Sequence, residues 1–190
     1  PGEIAPLARM ADLDLALITT VAAAHLFSFD GIEGIAREKA AIFEGLKPGG
    51  VAILPGDLAV TPILVAAART AGARLVTFGT ADTSDTADYR LVHVQLGQTA
   101  TIVRARRHAV PFLYKVLSPG RHFAANGLAA LAVADALGLD PVIAVNDLGR
   151  WAPPPGRGTR ERILLDLVDE TAFDLIDDAF NANPASVAAA

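Results

Sequence analysis

Three short apolar runs alternate with two helical segments over the first eighty residues of the chain. The runs cover Leu15–Val21, Val51–Leu54 and Leu75–Phe78, and the helical segments between them cover Gly31–Leu46 and Pro62–Ala71. Strands that are buried on both faces read as continuous apolar runs, and parallel strands need a crossover connection between them. The order therefore predicts an α/β fold in which a mostly parallel sheet is flanked by helices.

The pattern changes in the middle of the chain. Tyr89–Leu96, Thr101–Arg107 and Pro111–Val116 alternate or run apolar with short gaps, which predicts an antiparallel meander added to the sheet. An alanine-rich helix is expected at Asn126–Leu137, and a short one at Val142–Leu148.

A proline-rich linker, Trp151–Gly158, precedes the last part of the sequence. Two further strands are predicted at Arg162–Val168 and Ala172–Asp177, and a helix is expected to open at Asn183–Pro184. The pattern is the first β-β-α of a second domain, and we expect the boundary at residue 155.

Composition narrows the class of protein. The 190 residues are 52% hydrophobic and 19% charged, which is typical of a globular chain, and no apolar stretch approaches the ~20 residues of a membrane span. A net charge of -5 argues against nucleic acid as the main partner. The basic run Arg104–His108 alternates with apolar residues, as on a solvated strand face. The absence of cysteine excludes a disulfide scaffold and fits a reducing cytoplasm.

Two residues near the first strand are candidates for chemistry. His25 follows that strand, at the sheet edge where open α/β folds bind ligands, although a hydrogen-bonded loop histidine explains it as well. Lys39 lies within the following helix and is either a surface lysine or an amine used for chemistry. The second alternative gains some weight because the chain otherwise favours arginine, whose guanidinium cannot act as an amine.

Polar residues later in the chain form a second group of candidates. His122 and Asn126 are four residues apart at a helix start, where they either cap the helix or meet a purine edge. Arg157 lies on a glycine-flanked hinge and either reaches a phosphate or keeps the linker solvated. Asp177 and Asp178 end a strand, and one of them either holds a ribose hydroxyl or cation or caps the turn.

Taken together, the motifs resemble the Mur ligase family. The stretches "ITTVAAAHL", "IAREKAAIFEGL", "PGRHFAANGLAAL", "PPPGRGTRER" and "LIDDAFNANPAS" occur in the family's order and approximate spacing over essentially the whole chain. The resemblance implies that residues 1–155 are part of the central ATP-binding domain, and that residues 156–190 begin a Rossmann-like C-terminal domain.

The resemblance also implies an activity. Such enzymes phosphorylate a carboxylate with ATP and Mg²⁺, and an amine then attacks the acyl phosphate. The motifs are most similar to members that join D-alanyl-D-alanine to a UDP-N-acetylmuramoyl-tripeptide in peptidoglycan synthesis, which implies a cytoplasmic enzyme, and we expect a monomer. Folylpolyglutamate and cyanophycin synthetases share the architecture and are the alternative ligases. A non-catalytic nucleotide-binding module is a further alternative.

The resemblance gives the candidates individual roles. His25 matches a magnesium ligand, and Lys39 matches the lysine that becomes a carbamate ligand in many members. Asn126 matches the residue that contacts adenine, in the motif that His122 opens. Arg157 matches the arginine that reaches the phosphates, and Asp178 matches the carboxylate that holds the ribose.

The sequence also departs from the family pattern. Phe27 stands where an acidic residue is usual after His-Leu, and Phe123 replaces an asparagine beside His122. The P-loop and a metal-binding glutamate, expected just ahead of Pro1, are absent from these 190 residues. We therefore expect a longer ligase to be active and the 190-residue piece alone to be inactive, because the terminal phosphates of ATP would have no cradle.

Overall fold

A six-stranded sheet forms the body of the chain. The computed structural model describes residues 2–23, 29–80, 86–166, 169 and 171–180. The strands of this sheet lie side by side in sequence order; those from β1 to β4 pair in parallel, and β4, β5 and β6 pair antiparallel. They are β1 (Leu13–Leu17), β2 (Leu46–Pro55), β3 (Arg74–Thr80), β4 (Tyr89–Leu96), β5 (Thr101–Arg107) and β6 (Val110–Val116). The predicted fold class, a mostly parallel sheet with an antiparallel meander, is confirmed.

Helices cover this sheet, and a second, smaller sheet follows it. The helices are α1 (Ile4–Ala11), α2 (Gly31–Ala40), α3 (Thr61–Thr70), α4 (Arg121–Ala136) and α5 (Pro141–Leu148), and a 3-10 helix, Ala41–Gly45, continues α2. The small sheet is an antiparallel pair of β7 (Thr159–Leu164) and β8 (Ala172–Asp177).

The strand β2, which pairs with β1 and β3, divides the core into two layers. Ala52 and Leu54 point to the layer covered by α2 and α3, whereas Ile53 points to the layer covered by α4. All three side chains are fully buried. Both faces of this strand therefore exclude water, which explains why its sequence is a continuous apolar run and not an alternating one.

Several predicted boundaries near the start of the sheet are wrong. The first strand covers Leu13–Leu17, not Leu15–Val21, and the helix predicted over Gly31–Leu46 leaves α-geometry after Ala40. The "KPGG" segment predicted to end that helix lies inside β2. Gly49 has a φ of 76°, and the β1–β2 register shifts beside it, so these glycines form an irregularity in a strand.

Later boundaries also differ from the prediction. The helix α4 begins at Arg121, five residues before the predicted start at Asn126, and β7 covers Thr159–Leu164 where a strand over Arg162–Val168 was expected. The expected meander strands match within one residue, and β8 matches. The helix expected at Asn183–Pro184 lies outside the described residues.

The described helices are short. Where the structure gives a helix, none is both long and apolar enough to cross a bilayer. Local capping is visible in α5, where the Asp140 side chain accepts hydrogen bonds from the backbone N–H groups of Val142 (2.8 Å) and Ile143 (3.1 Å), and Pro141 occupies the first turn.

Candidate functional site

A cavity of about 1140 Å³ opens beyond the carboxyl ends of the parallel strands. Ligands of open α/β sheets bind at this edge, because the strand-to-helix loops converge there. The polar side chains that line the cavity come from strand ends, from helices and from the segment after α5. They include Thr19, Thr20, Lys39, Asp57, Thr80, His122, Asn126, Arg157 and Asp178.

The cavity brings together five of the six predicted site residues. Lys39, His122, Asn126, Arg157 and Asp178 all line it, although they lie far apart in the sequence. The sixth, His25, lies outside the described residues, as does the departure at Phe27. The structure thus shows that these residues line one cavity, which the order of the motifs in the sequence does not establish. The role of each residue stays a prediction.

Lys39 reaches from α2 to the segment that follows β1. Its half-buried side chain donates a hydrogen bond from Nζ to the backbone carbonyl oxygen of Thr20, at 2.7 Å. Burial of the ammonium group lowers the pKa of Lys39 from its ordinary value, because the charged form loses hydration. A lower pKa increases the share of neutral amine, which is the form that reacts with CO₂. This side chain is therefore not a freely solvated surface lysine.

The first turns of α4 present the second group of residues. The N-cap of this helix is Gly120, which has no side chain, so neither His122 nor Asn126 serves as the cap. Phe123 points to the core with 9% of its surface exposed, and its ring centroid lies 4.1 Å from that of His122. The departure from the family pattern therefore places a packed aromatic ring beside the cavity where an amide is usual.

The segment after α5 closes the opposite side of the cavity. The Arg157 guanidinium lies over the Phe180 ring, 4.5 Å from its centroid, in a cation–π contact. Asp177 ends β8, and its carbonyl oxygen accepts a hydrogen bond of 2.8 Å from the Gly158 backbone N–H. The neighbouring Asp178 is partly buried and lines the cavity. The two aspartates therefore have different surroundings.

Sequence reasoning missed Asp57. It follows β2 and accepts a hydrogen bond of 2.9 Å from the backbone N–H of Thr80, which joins the ends of β2 and β3. A Cβ on Gly79 would lie 2.9 Å from the Asp57 side chain, so only glycine leaves room for this arrangement. The available signal was the "PGD" sequence directly after a parallel strand, because that position faces the ligand edge of the sheet.

Trp151 was also missed as a site residue. The sequence indicated only a linker at this point, yet the indole lines the cavity with 43% of the residue exposed. Its ring centroid lies 5.9 Å from that of Phe123.

Other candidate sites are weaker. Within the described ranges, no three or more His, Asp or Glu residues are grouped so that they could hold a metal ion. A smaller cavity of about 510 Å³ lies near α1, α2 and α3 and contains the Arg9–Glu44 ion pair. None of the five predicted site residues that the structure describes lines this smaller cavity.

The fold and the cavity define the chain as an α/β protein with a polar ligand cleft at the strand carboxyl ends. The family model of the Mur ligase middle domain matches residues 1–134. The chain belongs to the Mur ligase family.

Individual relatives extend the likeness beyond the matched domain. The chain is 32% identical over 189 residues to the UDP-N-acetylmuramoyl-tripeptide–D-alanyl-D-alanine ligase of Bacillus subtilis, covering 100% of this chain and 38% of that protein. The crystal structure of MurF from Acinetobacter baumannii matches with a TM-score of 0.86 and 27% identity over 99% of this chain and 38% of that one. MurF from Thermotoga maritima in complex with ADP matches with a TM-score of 0.78 and 25% identity, over 100% and 40%. The chain therefore spans about two fifths of the length of these relatives.

Proposed function

We propose that the whole protein is an ATP-dependent amide ligase that joins D-alanyl-D-alanine to a UDP-N-acetylmuramoyl-tripeptide, and that this chain supplies much of the nucleotide site. The observation that carries the proposal is the single cavity lined by Lys39, His122, Asn126, Arg157 and Asp178. The proposal is supported by the similarity of this chain, over nearly all its 190 residues, to part of the ligases named for this reaction. The ADP complex of a similar structure supports a nucleotide as the ligand.

The proposed reaction has two steps. An oxygen of the tripeptide's terminal carboxylate attacks the γ-phosphorus of ATP, and the bond to the β-phosphate oxygen breaks to release ADP. The free amine of D-alanyl-D-alanine then attacks the carbonyl carbon of the acyl phosphate. Phosphate leaves with the electrons of the C–O bond, and the amine nitrogen loses a proton, so that an amide forms.

The residues of the cavity would bind and orient the nucleotide. Asn126 would contact the base edge, Asp178 would accept hydrogen bonds from the ribose hydroxyls, and Arg157 would bind the phosphates as a charged donor. These contacts place the nucleotide without taking part in bond making.

Lys39 has the properties that a carbamate ligand requires. It is half-buried beside the Thr20 carbonyl, and burial lowers its pKa, which favours the neutral amine that carbamate formation needs. Lys39 as a carbamate would hold Mg²⁺, together with His25. The ion, when bound, neutralises charge on the phosphates. A carbamate carries the oxygen donors that Mg²⁺ prefers, and an arginine could not form it.

Location and assembly complete the proposal. We propose that the enzyme acts in the cytoplasm, because the reaction consumes ATP, and the lack of cysteine suits that compartment. We also propose a monomer, which light scattering of the purified protein would test.

Phosphate release by the whole protein tests the reaction. Incubation with ATP, Mg²⁺ and UDP-N-acetylmuramoyl-tripeptide should release phosphate only when D-alanyl-D-alanine is also present. Phosphate release that depends instead on glutamate or aspartate as the amine substrate would favour another amide ligase. Calorimetric titration with ATP, with and without Mg²⁺, distinguishes a ligase from a non-catalytic nucleotide-binding module. The ATP affinity of the module should not increase when Mg²⁺ is present.

A further inference from the structure

Trp151 lines the cavity and has no role in the proposed reaction steps. It is the single tryptophan in the sequence and is 43% exposed. Its backbone N–H donates to the Leu148 carbonyl oxygen at 3.2 Å, so the residue is tied to the end of α5. The indole is thus presented from an anchored backbone.

The neighbouring Phe123 supports the indole from the core side. The two ring centroids are 5.9 Å apart with an interplanar angle of 53°, a tilted aromatic arrangement. Phe123 is itself almost fully buried and packs into the core layer under α4. A Cβ on Gly158 would lie 3.5 Å from this ring, so the hinge backbone holds Phe123 from the other side. Because Phe123 cannot move freely, it limits the orientations of the indole.

The chemistry around the indole matches a nucleoside phosphate. An apolar aromatic face binds a flat heterocycle, an amide reads its edge, a carboxylate binds ribose hydroxyls, and a guanidinium binds phosphate. Trp151, Asn126, Asp178 and Arg157 supply one of each, and all four line the same cavity.

We propose that Trp151 is a binding residue of the nucleobase subsite and stacks on the purine ring of the nucleotide. The inference rests on the proposed function, since it concerns the nucleotide of that reaction. It also explains the departure at position 123. The resemblance implies an asparagine at that position, and in its place the Phe123–Trp151 pair offers aromatic surface for dispersion and stacking. Base affinity would then come less from edge hydrogen bonds and more from the ring face.

Affinity measurements on the whole protein test the stacking role. Trp151→Ala should weaken ADP binding about tenfold in calorimetry, whereas Trp151→Phe should retain most of the affinity, because a smaller ring still stacks. Phe173→Ala is the matched control, since this aromatic residue is similarly exposed but does not line the cavity. Equal ADP affinity of Trp151→Ala and the wild type would overturn the proposal.

A phosphate probe separates stacking from a structural role. Inorganic tripolyphosphate has no base, so its affinity should be the same for Trp151→Ala and the wild type if Trp151 acts on the base alone. A structural role would weaken the binding of ADP and tripolyphosphate together, and that result would contradict the stacking role.

Fluorescence gives a direct readout of the contact. The emission of the wild type minus that of Trp151→Phe isolates the signal of this indole, and saturating adenosine or ADP should quench it. ADP binding without any change in this difference signal would overturn the stacking role and leave the proposed function standing. Failure of the wild type to bind ADP at all would overturn both.

Discussion

At the scale of single residues, the position of Lys39 matters more than its type. Two other lysines occur in the chain: Lys47 forms exposed ion pairs with Asp12 and Asp14, and Lys115 lies on an exposed strand face. Of the three lysines, only Lys39 is half-buried in the large cavity, beside the Thr20 carbonyl. Its lowered pKa follows from that burial, because the charged form loses hydration.

The first prediction concerns the amine chemistry of Lys39. Lys39→Arg keeps the positive charge but cannot form a carbamate, so the rate of ligation should fall about 100- to 1000-fold, as when one preorganised electrostatic group is removed. Lys47→Arg is the matched control and should leave the rate unchanged, because its ion pairs are exposed and tolerate arginine. Steady-state kinetics of the whole protein measure both. A Lys39→Arg enzyme with near-normal activity would exclude the carbamate.

The second prediction concerns the pH dependence of stability. Because the folded state lowers the pKa of Lys39, the unfolded chain binds more protons between that lowered pKa and the ordinary value of about 10.4. The contribution of this residue to the free energy of unfolding must therefore rise with pH through that window. Below the window, the charged side chain destabilises the folded state by a constant amount. Lys39→Met removes the titration.

Denaturant unfolding in CO₂-free buffer measures this effect. The wild type should gain stability relative to Lys39→Met as the pH rises toward the ordinary lysine pKa of about 10.4, because the lowered pKa of the folded state places the proton release below that value. A difference that stays constant with pH would mean that the side chain is well hydrated in the folded protein.

At the scale of elements, α4 is held against the sheet along its length. The fully buried Thr101 hydroxyl donates to the Ser118 carbonyl oxygen (2.7 Å) and accepts from the Gly120 N–H (3.0 Å), just before the helix starts. Farther along α4, the Tyr114 hydroxyl donates to the Ala124 carbonyl oxygen at 2.6 Å. These bonds fix the position of the first turn of α4 relative to β5 and β6, and with it the position of the polar residues that this turn presents to the cavity.

The third prediction tests the Thr101 anchor. Thr101→Val keeps the shape but leaves the Ser118 carbonyl and the Gly120 N–H without this partner, so the free energy of unfolding should fall by about 2 to 4 kcal/mol. The KM for ATP should also rise, because the start of α4 loosens. Thr70→Val is the control: its exposed hydroxyl bonds only to the Ala66 carbonyl in the same helix, and the cost should be within about 0.5 kcal/mol. Equal effects of the two changes would refute the anchor.

At the scale of the whole molecule, the two sheets differ in how much core they share. The large sheet is packed on both faces over β2, whereas β7 and β8 form a two-stranded sheet whose residues are mostly exposed. A two-stranded sheet with little buried surface has marginal stability by itself. We therefore expect the segment that carries Arg157 and Asp178 to be less stable than the large sheet.

The fourth prediction follows from this difference. In the 190-residue chain, backbone amides of β7 and β8 should exchange with solvent far faster than those of β2, because local opening costs little free energy where few side chains are buried. Hydrogen exchange read by mass spectrometry measures both segments in one sample. Equal protection of the two segments would show that the small sheet unfolds only with the whole molecule.

Part of this structure is readable in the sequence because its signals are local. The strands β5 and β8 match their predicted bounds, since alternation over six or seven residues is enough to define them. The start of α4 was not predictable in the same way, because it depends on Thr101, which lies in another strand. Likewise "KPGG" resembles a helix stop locally, and it lies within β2 because the flanking Leu46 and Val51 pair with β1.

The candidate site also has features that local sequence determines and features that depend on the tertiary structure. The sequence by itself determined the order of strands and helices, the family and the residue types with the right chemistry, since these depend on local pattern and motif. Only the tertiary structure decided that Lys39, Asn126, Arg157 and Asp178 line one cavity, and that Asp57 and Trp151 join them. The physical reason is that burial, pairing and proximity arise between segments far apart in the chain, whereas propensity and spacing act over a few residues.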